Sequence, residues 1–165
     1  MSRKAVRESE SRFRALAESV PDVILTTDPE GIVLFANSSV EHVFGHAVAA
    51  VIGRPIERLL PALLPLLTGP RSKLEEGARI EWEGVHERGH KIPIELSVVV
   101  FDRDGRRLFT VVVHDVTDRK RAESAVKSSE VLKSAVIAAA LDAIVTIDAR
   151  GMILEFNPAA ERMFG

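Results

Sequence analysis

The chain has 165 residues, 46% hydrophobic and 28% charged, with a formal net charge of −2. This is the composition of a soluble globular protein with room for one ordinary domain and something attached, and it supplies no global field to attract nucleic acid or anionic lipid. Cysteine is absent, which excludes disulfides, thiolate metal sites and cysteine nucleophiles together. The N-terminal MSRKAVRESESRF is charged and has no apolar segment of the secretory kind. The most apolar runs, Leu59–Leu67 and Ala135–Ile147, are broken by prolines or by Asp142. Both fall short of the roughly 20 residues that cross a bilayer. The expectation is a cytoplasmic protein with no membrane and no nucleic-acid partner.

Residues 1–19 are predicted as a leader helix, with Val6, Phe13, Leu16 and Val20 at spacings of seven, three and four. Such a stripe either packs on its own domain or, through Phe13 and Leu16, forms a dimer seam. The next stretch occurs twice. DVILTTDPEGIVLFANSSVEHVFG at 22–45 returns as DAIVTIDARGMILEFNPAAERMFG at 142–165, with ten of 24 positions identical. Asp28 and Gly31 in one copy, Asp148 and Gly151 in the other, frame a tight turn between short β-branched runs, so each copy reads as a hairpin. Asn157-Pro158 is a helix cap followed by proline at the first helical position, and Asn37 holds the same place. In the first copy Ser38-Ser39-Val40-Glu41 also has the spacing of a capping box.

Prolines 55, 61, 65 and 70 break residues 46–76 into short helices. LLPALLPLL is too apolar for an exposed loop and is expected to lie over a sheet, with Arg71–Gly77 looping back to its edge. Three strands follow. Ile80 and Trp82 share a face, Arg88-Gly89-His90 turns the chain, and Ile92, Ile94, Leu96 and Val98 alternate. Asp102-Arg103-Asp104-Gly105 turns again, and the nearly continuous apolar run Leu108–Val116 has the character of a central strand. Thr117 or Asp118 is then expected to cap a helix over 118–139. Its stripe (Ala122, Ala125, Ser129, Leu132, Val136, Ala139) is regular but small, which favours a weak seam centred on Leu132 and Val136.

This order of elements, the Asp-x-x-Gly hairpin, the Asn-led helix and Phe-Gly resemble the PAS family. ERGHKIPIELSV is similar to a strand pair in that family's C-terminal half, and HDVTDRKRAE to its closing Asp-x-Thr motif, here Asp115 and Thr117. The resemblance implies an α+β fold: a five-stranded antiparallel sheet with short helices on one face, flanked by N-terminal and C-terminal signalling helices. It divides the chain into a leader (1–19), a complete PAS-like domain (20–117), a connecting helix (118–139) and the start of a second such domain (140–165). Two strands alone are marginal in water, so the chain is expected to be a piece of something longer. The resemblance also implies a sensing or relay role, with an output domain, a histidine kinase or cyclic-dinucleotide enzyme, elsewhere in the parent protein. A small ligand and a homodimer are the partners it suggests. Asp115 and Thr117 become the candidate relay pair at the exit of the sheet.

Cofactor chemistry is addressed residue by residue. The light-oxygen-voltage and photoactive-yellow-protein types need a cysteine, and the latter also tyrosines; neither residue occurs. The haem-binding relatives use a histidine before the third strand, and Glu57–Gly77 contains none. Trp82 is the one aromatic expected to border the cleft, where a flavin would be held. Sheet packing is the commoner role for a single tryptophan, and no cofactor is expected. His86 and His90 flank a turn and lack a third ligand fixed by sequence, so no metal site is assigned. His114-Asp115 has no accompanying nucleophile motif, and Arg119-Lys120-Arg121 reads as a solvated helix face. No catalytic residue is assigned, and the chain is not expected to be an enzyme.

Overall fold

The computed structural model describes residues 3–69 and 77–165, with side chains from residue 11 onward. It divides into two compact units, Met1–Asp118 and Arg119–Gly165. The predicted return at 71–77 lies, up to residue 76, outside the described residues.

The first unit begins with α1 (Arg3–Ser19), then β1 (Val23–Thr27) and β2 (Val33–Ala36). Asp28 makes the turn between these strands. Its carbonyl accepts the N–H of Gly31 at 3.0 Å and its carboxylate accepts that of Ile32 at 2.8 Å. Gly31 sits at φ 81°, a conformation that costs glycine little. Short helices α2 (Ser39–Phe44), α3 (Val48–Val51) and α4 (Leu63–Thr68), with a 3-10 turn at Ile56–Arg58, connect to β3 (Ile80–Val85). Strands β4 (Lys91–Arg103) and β5 (Arg106–Asp115) form a long hairpin. Its two-residue tip, Asp104-Gly105, has positive φ at both positions, as a type I′ turn requires.

The sheet is antiparallel in the order β2-β1-β5-β4-β3, so β5 is central. One face carries Leu25, Ile94, Leu96, Val111 and Val113, all essentially inaccessible to solvent. Over it lie Val40 and Phe44 of α2, Ile56, and Leu59, Leu60 and Leu63 from the proline-broken run. Each such side chain contributes about 1.5–3 kcal/mol on burial. Prolines prevent a long helix there, and short helices let the chain follow the twisted sheet.

Two predicted details differ. The capping box at Ser38 does not form: Ser38 makes no side-chain cap bond, and Glu41 Oε1 instead accepts Val48 N–H at 3.0 Å. The helix after β5, α5 (Thr117–Ala139), already includes Thr117 and Asp118, and Asp115 ahead of it bonds the first turn, its carboxylate accepting the N–H of Thr117 at 2.8 Å. A carboxylate two residues ahead of the first turn reaches that N–H without strain, whereas a residue inside the turn cannot.

The second unit comprises α5 from Arg119, the hairpin β6 (Val145–Ile147) and β7 (Ile153–Phe156), and α6 (Pro158–Phe164). Asp148 repeats the turn, with Gly151 at φ 82° and its N–H on the Asp148 carbonyl at 3.0 Å. Asn157 accepts the N–H of Ala160 at 2.9 Å, with Pro158 at the first helical position. Leu34 and Leu154, identical in the two copies, each form the extra residue of a bulge opposite the first strand.

Candidate functional site

Entrance and exit of the first sheet lie side by side, because β1 and β5 pair antiparallel with Val23 opposite Val113. Three sets of side chains knit this corner together. The first centres on Asn37, fully buried at the end of β2. Its amide nitrogen donates to the carbonyls of Ala17 in α1, at 2.7 Å, and of Asp22, at 2.9 Å. Its oxygen accepts the N–H of Ile24 in β1 at 2.9 Å. One side chain thus joins the last turn of α1, the loop that follows and the first strand. Sequence reasoning placed Asn37 at a helix cap; Asn37 stands one residue ahead of the cap position Ser38, and its side chain faces backwards, toward the incoming helix.

Its neighbours add to the strap. The Ser38 N–H donates to Glu18 Oε2 at 2.8 Å, and Ser39 Oγ donates to the Val20 carbonyl at 3.0 Å. Hydrogen bonds from the Ser38 hydroxyl and backbone hold the Glu18 carboxyl below its ordinary value, with Arg14 adding to the effect and partial burial opposing it. Glu18 thereby takes, on the Ser38 N–H, the place that the capping box assigned to Glu41.

The same lattice recurs 120 residues on. Asn157 donates to the carbonyls of Ile137 at 3.1 Å and Asp142 at 3.0 Å, and accepts from Ile144 N–H at 2.9 Å. Ala17 and Ile137 occupy equivalent places, as do the helix ends Ser19 and Ala139. The last turns of α5 are therefore to the second hairpin what α1 is to the first.

The second set is His114 Nδ1 against Asp22 Oδ1 at 2.7 Å. It ties the end of β5 to the loop between α1 and β1. Sequence reasoning set His114 beside Asp115 and did not find Asp22. The signal available was the identity of Asp22 with Asp142; its partner, 92 positions away, follows only once β1 is laid against β5. The third set is Asp115 with Thr117. One Asp115 oxygen accepts both the N–H and the hydroxyl of Thr117, and the intervening Val116 is buried with its N–H on the Pro93 carbonyl at 3.1 Å. The central strand passes into α5 through a fixed turn.

Trp82 is elsewhere. It packs half-buried against the core, and its indole N–H donates to the Pro61 carbonyl at 3.1 Å, pinning the chain before α4 to β3. An indole used in this way is not presented to a flavin. The histidine on the short helices is His42, in the last turn of α2. Among the described residues no group of three His, Cys, Asp or Glu is arranged to hold a metal ion. Among them, too, no helix is long and apolar enough to cross a membrane. Of the predicted seam residues, Phe13 meets Phe35 of β2 with ring centroids 5.4 Å apart, while Leu16, Leu132 and Val136 are exposed.

Comparison with known proteins agrees with this architecture. The chain is 30% identical over 127 residues to a methyl sulfide methyltransferase-associated sensor of Methanosarcina acetivorans, covering 73% of this chain and 12% of that protein. It is 24% identical over 158 residues to sporulation kinase E of Bacillus subtilis, covering 96% and 21%. The chain thus spans only 12% and 21% of the length of these relatives. The PAS domain of an HTR-like protein from Haloarcula marismortui superposes with a TM-score of 0.54 at 24% identity, over 68% of this chain and 95% of that one. A family model described as the PAS fold matches residues 17–121, and a second, described as a PAS domain, matches 132–165. With a family model matched over residues 17–121, more than half of its length, the chain belongs to the PAS family.

Proposed function

We propose that the first unit is a sensory relay: a change in its core, or in a partner held against it, passes through the corner at Asp22, Asn37 and His114 into α5. The observation that carries this reading is the bonding of entrance to exit, with His114 on Asp22 at 2.7 Å and Asp115 on Thr117 where β5 enters the helix. No Gly/Ser linker separates them, so a shift of β5 against β1 moves the first turn of α5 directly. Coupling of this kind needs an element with two arrangements of similar energy. The small residues Ala122, Ala125 and Ser129 of α5 suit such an element. The likeness to a named sensor and a named kinase supports a signalling protein as parent; we read that parent as cytoplasmic, with a histidine kinase or a cyclic-dinucleotide enzyme as its output and no catalysis in this chain.

We read the domain as working without a resident cofactor, on the bonding of Trp82 and the absence of cysteine and of a histidine in Glu57–Gly77. A stoichiometric Soret or flavin absorption band in freshly purified protein would replace this with a redox or gas sensor. The relay itself is tested with Asp115→Ala and Thr117→Ala in the full-length parent. Losing this cap costs about 1 kcal/mol, so the domain stays folded. The expected result is altered output with a nearly unchanged melting temperature; unaltered output with a large drop in melting temperature reduces the pair to a structural cap.

A further inference from the structure

Three of the five histidines gather where α2 meets the β3–β4 turn. Helix α2 ends at Gly45, φ 78°, and the Phe44 carbonyl before it accepts the N–H of Glu87 at 2.8 Å. This is the backbone bond that fastens the helix to the turn. Around it the side chains are close. The His86 and His90 rings stack with centroids 4.3 Å apart and planes 18° from parallel. A side-chain carbon added at Gly45 would lie 2.6 Å from Cε1 and 2.7 Å from Nε2 of His86. His86 Nδ1 accepts the N–H of Arg88 at 3.1 Å. That bond requires Nδ1 to carry no proton, so the ring in this arrangement is neutral.

Protonation undoes the arrangement in two ways. A proton on Nδ1 points at the Arg88 N–H, donor against donor, and the bond is lost. A charged ring also stacks less favourably on the face of a second imidazole, here that of His90. The geometry points to an acid-released latch: His86, stacked on His90 and set against Gly45 beside His46, holds the β3–β4 turn to the end of α2 when neutral and frees it when protonated. The inference is independent of how the signal leaves through α5.

The electrostatics agree with the geometry. His86 is held below its ordinary value of 6.5, first by partial burial, then by the charge of His90, with Arg88 and His46 acting in the same direction and Glu87 opposing them. On the flanking strands, Lys91 and Glu83 are engaged with each other at 2.7 Å. The sign follows from linkage. The closed latch binds the proton less readily than the open turn, so its advantage is full above the open-state value and is lost as pH falls through the lowered one.

The experiment is amide hydrogen exchange on the whole chain between about pH 7.5 and 5, corrected for the intrinsic pH dependence of exchange. Protection of the Glu87 amide is expected to fall several-fold on acidification, while amides of the central strand β5 hold theirs. His86→Asn keeps an acceptor at the same distance from the backbone and cannot titrate in this range, so it should abolish the fall. His90→Gln removes the stacked partner and its charge, and should move the midpoint of the fall to higher pH. An equal fall in His86→Asn, an unshifted midpoint in His90→Gln, or protection that ignores pH in the unaltered chain overturns the latch.

Discussion

Among the described residues, Thr27 carries a buried polar side-chain atom left unsatisfied. It lies on the core face of β1, fully buried, and its hydroxyl has no hydrogen-bond partner among the described residues. The second copy has Ile147 at this place. An orphaned buried hydroxyl costs about 1–3 kcal/mol, and valine has the same shape without it. Thr27→Val is therefore expected to raise stability by about 1 kcal/mol, read from the denaturant midpoint at unchanged slope. A destabilised variant would mean that a water molecule or a ligand uses the hydroxyl, and would locate the inside of a sensing cleft.

Between elements, the decisive bonds are those of Asn37. Its amide satisfies two carbonyls and one N–H on three successive segments, from inside the protein. Asn37→Ala leaves those groups to find water in a closed corner, at a cost of about 3 kcal/mol in total. Thermal unfolding measures that loss. Asn37→Asp keeps the acceptor for Ile24 but turns its two donors into a carboxylate facing two carbonyls, and should be no better. A loss well under 1 kcal/mol in both variants would show that α1 is not held through this side chain. Elsewhere close packing replaces hydrogen bonding: a carbon added at Gly84 would stand 2.6 Å from the Phe44 ring, so the Phe-Gly end of α2 fits β3 only because position 84 has no side chain.

For the whole molecule, the exposed apolar residues outnumber what a free surface uses. Phe13 is 51% exposed and Leu16 69%, and on α5 Leu132 and Val136 are 65% and 62% exposed. These are the positions at heptad-like spacing on α1 and α5, and we propose a homodimer through them. Phe13→Glu with Leu16→Glu is expected to convert the dimer to monomer by light scattering, without loss of the sheet's circular dichroism. An unaltered chain that is already monomeric at high micromolar concentration refutes the seam. Phe13 also touches Phe35, so Leu16→Glu alone separates the dimer contact from packing within the domain.

The order of elements, the two turns at Asp28 and Asp148, the broken helices and the central character of Leu108–Val116 were legible in the sequence. Each is set by residues within a few positions of one another: proline and glycine restrict the backbone locally, and alternation marks a face. The 120-residue repeat added the membership of Asn37 and Asn157 in one motif. It could not tell which way their side chains turn, since a cap and a backward clamp use the same amide. The tertiary structure decided that, along with the contact of His114 with Asp22, the bond from Trp82 to Pro61 and the gathering of His86 and His90 with His46 beside Gly45. All four depend on strand pairing or on a helix laid across a sheet. Pairing of that kind is chosen by the summed burial of the whole core, and no local run of residues records it.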